Sequence, residues 1–80
     1  MYKAPNTITE PVLEALKELG VPQQLIKKEI KKGTDYGDWE ALYCLVINRQ
    51  VEDHHLSNLI TEFPEIYNWM RANCELRTEE

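Results

Sequence analysis

The sequence predicts an all-α domain, and three observations carry that expectation. Apolar side chains recur at helical intervals, and three glycines and four prolines stand where helices stop and start. One run, residues 39–47, is apolar almost all the way round a helical wheel, interrupted only by Glu40. The expected architecture is a compact bundle of four to five short helices around that hydrophobic third helix. Were residues 41–47 a strand the class would be α+β, but no second strand-like run exists for it to pair with.

The first helix is expected to begin at Thr9 as N-cap, to carry Pro11 in its first turn and to stop at Gly20. Val12, Leu16 and Leu19 share its apolar face. Thr7 and Glu10 also spell a capping box, but Pro11 would then occupy a position whose N–H is needed for the first helical bond, so Thr9 is preferred. Pro22 opens a second helix that should run to Lys32, with Gly33 closing it, leaving a tight corner at Gly20-Val21. Ile26 and Ile30 give that helix a narrow apolar stripe, while Lys27, Lys28, Lys31 and Lys32 fall within an arc of roughly 140° elsewhere.

Thr34 to Asp38 is turn chemistry, and Asp38 can cap the third helix from Trp39. Asp53 is the natural cap of a fourth helix over residues 54–63, in which Leu56, Leu59, Ile60 and Phe63 lie within an arc of about 100°. Pro64 forces a break and opens a fifth helix expected to reach about Arg77, with the last three residues fraying. Its apolar arc spans about 180°, from Trp69 and Leu76 through Ile66 and Met70 to Cys74 and Tyr67, with Asn73 in the middle.

Composition bounds function. Eighty residues are expected to make one domain over residues 1–80, burying about 60% of the surface that the unfolded chain exposes. A core that small leaves little margin for an elaborate buried active site, so no enzyme is expected. Cys44 and Cys74 are the only cysteines, far from a disulfide framework, which places the chain in a reducing, cytoplasmic compartment. The longest uninterrupted apolar run is residues 41–47, against about 20 residues for a membrane span, so neither a span nor a signal peptide is expected. Residues 1–50 hold seven basic and seven acidic side chains; residues 51–80 hold seven acidic ones against Arg71 and Arg77, so the whole net charge of −5 lies in the C-terminal part. A general nucleic-acid binder has the opposite balance.

Candidate chemistry is sparse. Cys44, His54, His55 and Cys74 are spaced C-x9-H-H-x18-C, unlike the close-paired ligands of structural zinc sites, and adjacent helical histidines point about 100° apart. No metal and no cofactor is therefore expected. His54 should face solvent and His55 the border of the apolar stripe. Both cysteines read as core packing rather than as activated nucleophiles, and no phosphate loop, nucleophile elbow, zinc-protease helix or calcium loop occurs.

Three binding readings remain. The lysine face of Lys27, Lys28, Lys31 and Lys32 could hold an anion or a phosphate backbone, although such a face is most often just solvated. The stretch from Asp53 to Arg77, with Pro64 opening the second helix, resembles the helix-turn-helix of small terminase subunits of phages over about a third of the chain, which would imply DNA reading. Its outward side chains Glu65, Asn68, Arg71 and Glu75 are a near-balanced to negative set that phosphates would repel. The wide arc of the fifth helix points instead to a protein partner: one side of a small core cannot cover it all, so Tyr67, Trp69, Asn73 and Leu76 become contact candidates. The remaining possibility, that the N-terminal segment with Tyr2 and Ile8 covers them, is equally weighted. The partner expected is a basic or nucleic-acid-binding protein, whose phosphate site an acidic surface can mimic, or a second copy of the chain in a homodimer. Inhibitors, adaptors and regulatory accessory proteins, including those of phages and mobile elements, are of this kind; a helix-turn-helix DNA-binding regulator is the alternative.

Overall fold

The computed structural model describes residues 6–31 and 34–78. It is an all-α compact bundle: α1 (Asn6–Leu19), α2 (Gln23–Glu29), α3 (Tyr36–Val46), α4 (Asp53–Glu62) and α5 (Pro64–Asn73), with two-residue strands β1 (Gln50–Val51) and β2 (Arg77–Thr78). The Cα radius of gyration of 11.5 Å is close to the roughly 11.6 Å expected of a packed chain of this length.

The third helix is the centre, as its all-round apolarity requires. It packs against α1, α4, β1 and α5, and its Ala41, Leu42 and Leu45 are fully buried. Residues 41–46 are helical, which settles the choice between helix and strand for that run. Around it Val12 and Leu16 of α1, Leu59 of α4 and Ile66 and Met70 of α5 complete the core. Apolar stripes at i and i+4 therefore meet on one side of each surrounding helix, which is the cheapest way to hide them.

Helix ends differ from the expectation, each for a physical reason. α1 starts at Asn6, three residues before Thr9, because Ile8 packs on the core one turn ahead of Val12 and carries the helix through Pro11. Its other end follows the sequence: Gly20 takes φ 93°, its N–H donates to the Lys17 carbonyl at 3.1 Å, and the Val21 N–H donates to Leu16 at 3.0 Å. That is a complete Schellman termination, sealed by the buried pair Leu16 and Val21. α2 ends at Glu29, not at Lys32, since Ile30 is already extended (φ −92°, ψ 100°). Lys31 therefore leaves the helical arc, and Lys32 and Gly33 lie outside the described residues. α3 begins at Tyr36, with Asp35 rather than Asp38 preceding its first turn. α4 begins at Asp53, one residue early, and Ile60, expected in its apolar arc, is 53% exposed because the buried face centres between Leu59 and Phe63.

The largest departure is at the C-terminus. α5 stops at Asn73, where Cys74 turns extended (φ −133°, ψ 154°), and the chain runs on as a strand. There β2 pairs in parallel with β1 in the register Gln50↔Arg77 and Val51↔Thr78. The Arg77 N–H donates to the Arg49 carbonyl at 2.8 Å, and the Arg77 guanidinium donates to the Asn48 carbonyl at 3.1 Å. Arg49 itself sits at φ 55°, a left-handed conformation, and its Nε donates to the Val46 carbonyl at 3.2 Å. Two arginines thus serve backbone carbonyls at the C-terminal end of α3, where the helix dipole favours cations.

Candidate functional site

Shortening α5 changes the surface on which the partner expectation rests. Leu76 is not on the helix at all but in the segment leading to β2, so the 180° arc is narrower than the sequence suggested. On the helix, Ile66 and Met70 are fully buried, and Tyr67 and Trp69 each lie about 80° to either side of the line between them. Both rings are half-buried against the core, as are Leu76 and Cys74. Arg71 stacks its guanidinium 5.6 Å from the Tyr67 ring centroid. Asn73 is exposed, and its side-chain amide donates to the Trp69 carbonyl at 2.9 Å, one turn back along its own helix. It is therefore not a core amide. Ile8 packs on the core, whereas Tyr2 lies outside the described residues. Ile47 and Ile60 are the large hydrophobics most exposed to solvent among the described residues.

The lysine face is partly occupied by the fold itself. Glu29, 9% exposed, aims its carboxylate at the first turn of α5 and accepts the N–H groups of Glu65 (2.8 Å) and Ile66 (2.9 Å). A carboxylate from one helix thereby caps the N-terminus of another and lies along its dipole. Next to it the Lys28 ammonium donates to the Glu65 carboxylate, which raises the lysine pKa above its ordinary value, the hydrogen bond contributing most and the Glu65 charge next. An open cleft of about 510 Å³ lies beside this corner, lined by Lys28 and Lys31 but also by Asp35, Asp38 and Glu62. Asp38 in turn accepts from the Asn58 amide at 2.6 Å. The mixed charge of this cleft gives no concentrated field for a phosphate backbone. The α4–α5 corner is a single residue, Phe63, shorter than the three to four residues typical of a DNA-reading turn.

A second cleft, about 430 Å³, opens beside α3 and the start of α4 and is lined by Ile8, Glu40, Tyr43, Cys44, Asn48, Glu52, His54 and His55. Here the structure brings together residues that the sequence reading kept apart. The Cys44 thiol, one Glu52 oxygen and an imidazole nitrogen of His55 all lie within 4.8 Å of one another. Glu52 precedes α4 and His55 is its third residue, an i, i+3 pair that shares one side of the first turn. The Glu52 carbonyl accepts the His55 N–H at 2.9 Å, which fixes the spacing. His54 is exposed and His55 largely buried, as the helical pattern predicts. The His54 Nε2 stands 3.2 Å from Glu52 Oε1, and its ring packs on that of His55 at 4.0 Å. His55 Nδ1, 3.7 Å from Glu52 Oε1, is buried without a hydrogen-bond partner. Burial pushes the Cys44 thiol above its ordinary pKa; the Glu52 and Glu40 charges add to this, and a hydrogen bond with Asn48 opposes it. A raised pKa keeps the thiol protonated and works against its activation as a nucleophile. Cys74 ends α5 and takes no part in the cluster. Counting only cysteines and histidines hid this site; the Glu-x-x-His spacing at a helix start was the signal available.

No helix among the described residues is long and apolar enough to cross a membrane. Comparison with protein-family models, curated proteins and solved structures finds no match.

Proposed function

We propose that this chain is a non-catalytic protein-binding domain, a small acidic regulator, inhibitor or adaptor that acts by contact through Tyr67, Trp69, Asn73 and Leu76. The observation that supports this reading is that the largest side chain of α5, Trp69, is only half-buried and keeps part of its ring in solvent beside an exposed amide. Aromatic rings that the core covers on one side are the usual anchors of protein contacts. The surrounding segment carries the acidic excess of the chain, which steers a basic surface towards those anchors. A nucleic-acid-binding protein fits that description; a second copy of the acidic chain brings no such charge complement.

The test uses the full chain as bait in lysate of its source cell, with Trp69→Ala as the comparison. The reading requires a captured basic protein that is released by salt and lost on Trp69→Ala, while the variant stays folded by circular dichroism. Equal capture by the variant rejects the site. A doubled mass in sedimentation equilibrium that Trp69→Ala halves would make the partner a second copy. Binding to duplex DNA at low salt with a steep salt dependence would replace this reading by the DNA-binding one.

A further inference from the structure

We propose that Cys44, Glu52 and His55 form a site for one divalent transition-metal ion of the zinc type. Three donors of different chemistry, a thiol from α3, a carboxylate from the residue ahead of α4 and an imidazole from its first turn, have their ligating atoms within 4.8 Å of one another. Zinc binds sulfur at about 2.3 Å and nitrogen or oxygen at about 2.0–2.2 Å, so tetrahedral donors stand roughly 3.3–3.7 Å apart. The His55 Nδ1 to Glu52 Oε1 separation is already 3.7 Å. The remaining separations, none above 4.8 Å, exceed that range by about an ångström at most.

The independent observation is the His55 nitrogen. A buried imidazole nitrogen with no hydrogen-bond partner is costly to the fold, and such orphans mark a missing ion or water. Nδ1 is also the nitrogen that faces the Glu52 carboxylate. One imidazole nitrogen of His55 lies within 4.8 Å of both the Cys44 sulfur and a Glu52 oxygen, whereas a thiol–imidazole–carboxylate relay sets the thiol and the carboxylate on opposite nitrogens of the ring. The cluster opens on the 430 Å³ cleft, which leaves a fourth position for water, as in zinc sites with three protein ligands. Glu40 also lines this cleft and adds a second carboxylate charge to that of Glu52 on its wall. On binding, the Cys44 S–H bond gives way to a metal–thiolate bond and its proton passes to solvent.

The experiment is a titration of the reduced full-length protein with cobalt(II), then zinc(II), read by absorption and by calorimetry. The proposal requires one ion per chain, a thiolate-to-cobalt charge-transfer band with tetrahedral ligand-field bands, and displacement of cobalt by zinc. Cys44→Ser should abolish the charge-transfer band, and Cys74→Ser should leave it intact. Loss of a ligand should weaken zinc binding by more than the roughly 10–100-fold that loss of a supporting group costs. Glu52→Gln, at a half-buried position ahead of α4, decides the question if Cys44→Ser fails to fold: it should keep the native circular dichroism and lose affinity. Absence of stoichiometric binding, zinc affinity unchanged in Glu52→Gln, or a band that follows Cys74 would overturn the site.

Discussion

Glu29 holds more of the fold than its place in a lysine-rich stretch suggests. Its carboxylate accepts both the Glu65 and the Ile66 N–H groups, which lie in the first turn of α5, so its removal strands two donors at a helix start. Charge-assisted bonds of this kind are worth about 1.5–3 kcal/mol, and Glu29→Ala is expected to lower unfolding stability by about 2–3 kcal/mol. Glu29→Gln keeps one carbonyl oxygen and should lose about half of that. Lys28→Ala, which removes only an exposed ion pair, should leave the urea midpoint almost unchanged. If Lys28→Ala and Glu29→Ala cost the same, the cap is not what joins α2 to α5. Cys44 makes a prediction of another kind. Its folded-state pKa is raised, so the folded thiol keeps a proton that the unfolded thiol has already lost at the same pH. Stability therefore falls as pH climbs above the ordinary thiol range and through the raised value. In the metal-free protein, iodoacetamide labelling of Cys44 should be slow at neutral pH and speed up as pH rises through that raised value.

Between neighbouring elements, sequence legibility divides cleanly into what periodicity fixes and what tertiary contacts decide. All five helices and the central place of α3 follow from the spacing of apolar residues, which any packing of this chain must respect. Their ends do not, because the energy that sets them lies elsewhere in the chain: Ile8 extends α1 backwards, and the Glu29 carboxylate reaches α5, 36 residues on. Where the terminating signal is local, it was readable. Gly20 is the example, and it can be set against Gly37 in the first turn of α3. Neither glycine has an atom within 4 Å of where a Cβ would stand, so substitution tests backbone conformation alone. At φ 93° Gly20→Ala should cost about 1–2 kcal/mol. Gly37 is helical, and Gly37→Ala should add about 0.5–1 kcal/mol. Chemical denaturation of the two variants should move the midpoint in opposite directions. The grouping of Cys44, Glu52 and His55 was less legible than either, since it depends on how α3 and α4 lie across one another.

For the molecule as a whole, the feature no local pattern could announce is the return of the C-terminus to the middle of the chain. Residues 74–77 have ordinary helical propensity and an apolar Leu76 at a helical interval, and nothing in them signals a strand. What β2 meets is the connection after α3, where Arg49, at φ 55°, turns its carbonyl to the Arg77 N–H. Val51, 4% exposed, is covered in the same place, so the pairing closes the bundle between its third and fifth helices. A domain of this size has only a few kcal/mol in reserve, and a single turn of closure is then a large fraction of it. Arg77→Ala removes the guanidinium bond to Asn48, an exposed contact, and should cost under about 0.5 kcal/mol. Arg77→Pro removes that bond and the backbone N–H as well, leaving the Arg49 carbonyl without its donor, and should cost about 1–2 kcal/mol more than Arg77→Ala. For a chain of 60–100 residues each kcal/mol moves the melting temperature by about 4–8 °C, so the gap between the two variants should be plain in a thermal scan. Equal melting temperatures would mean that the parallel pair contributes nothing to closure.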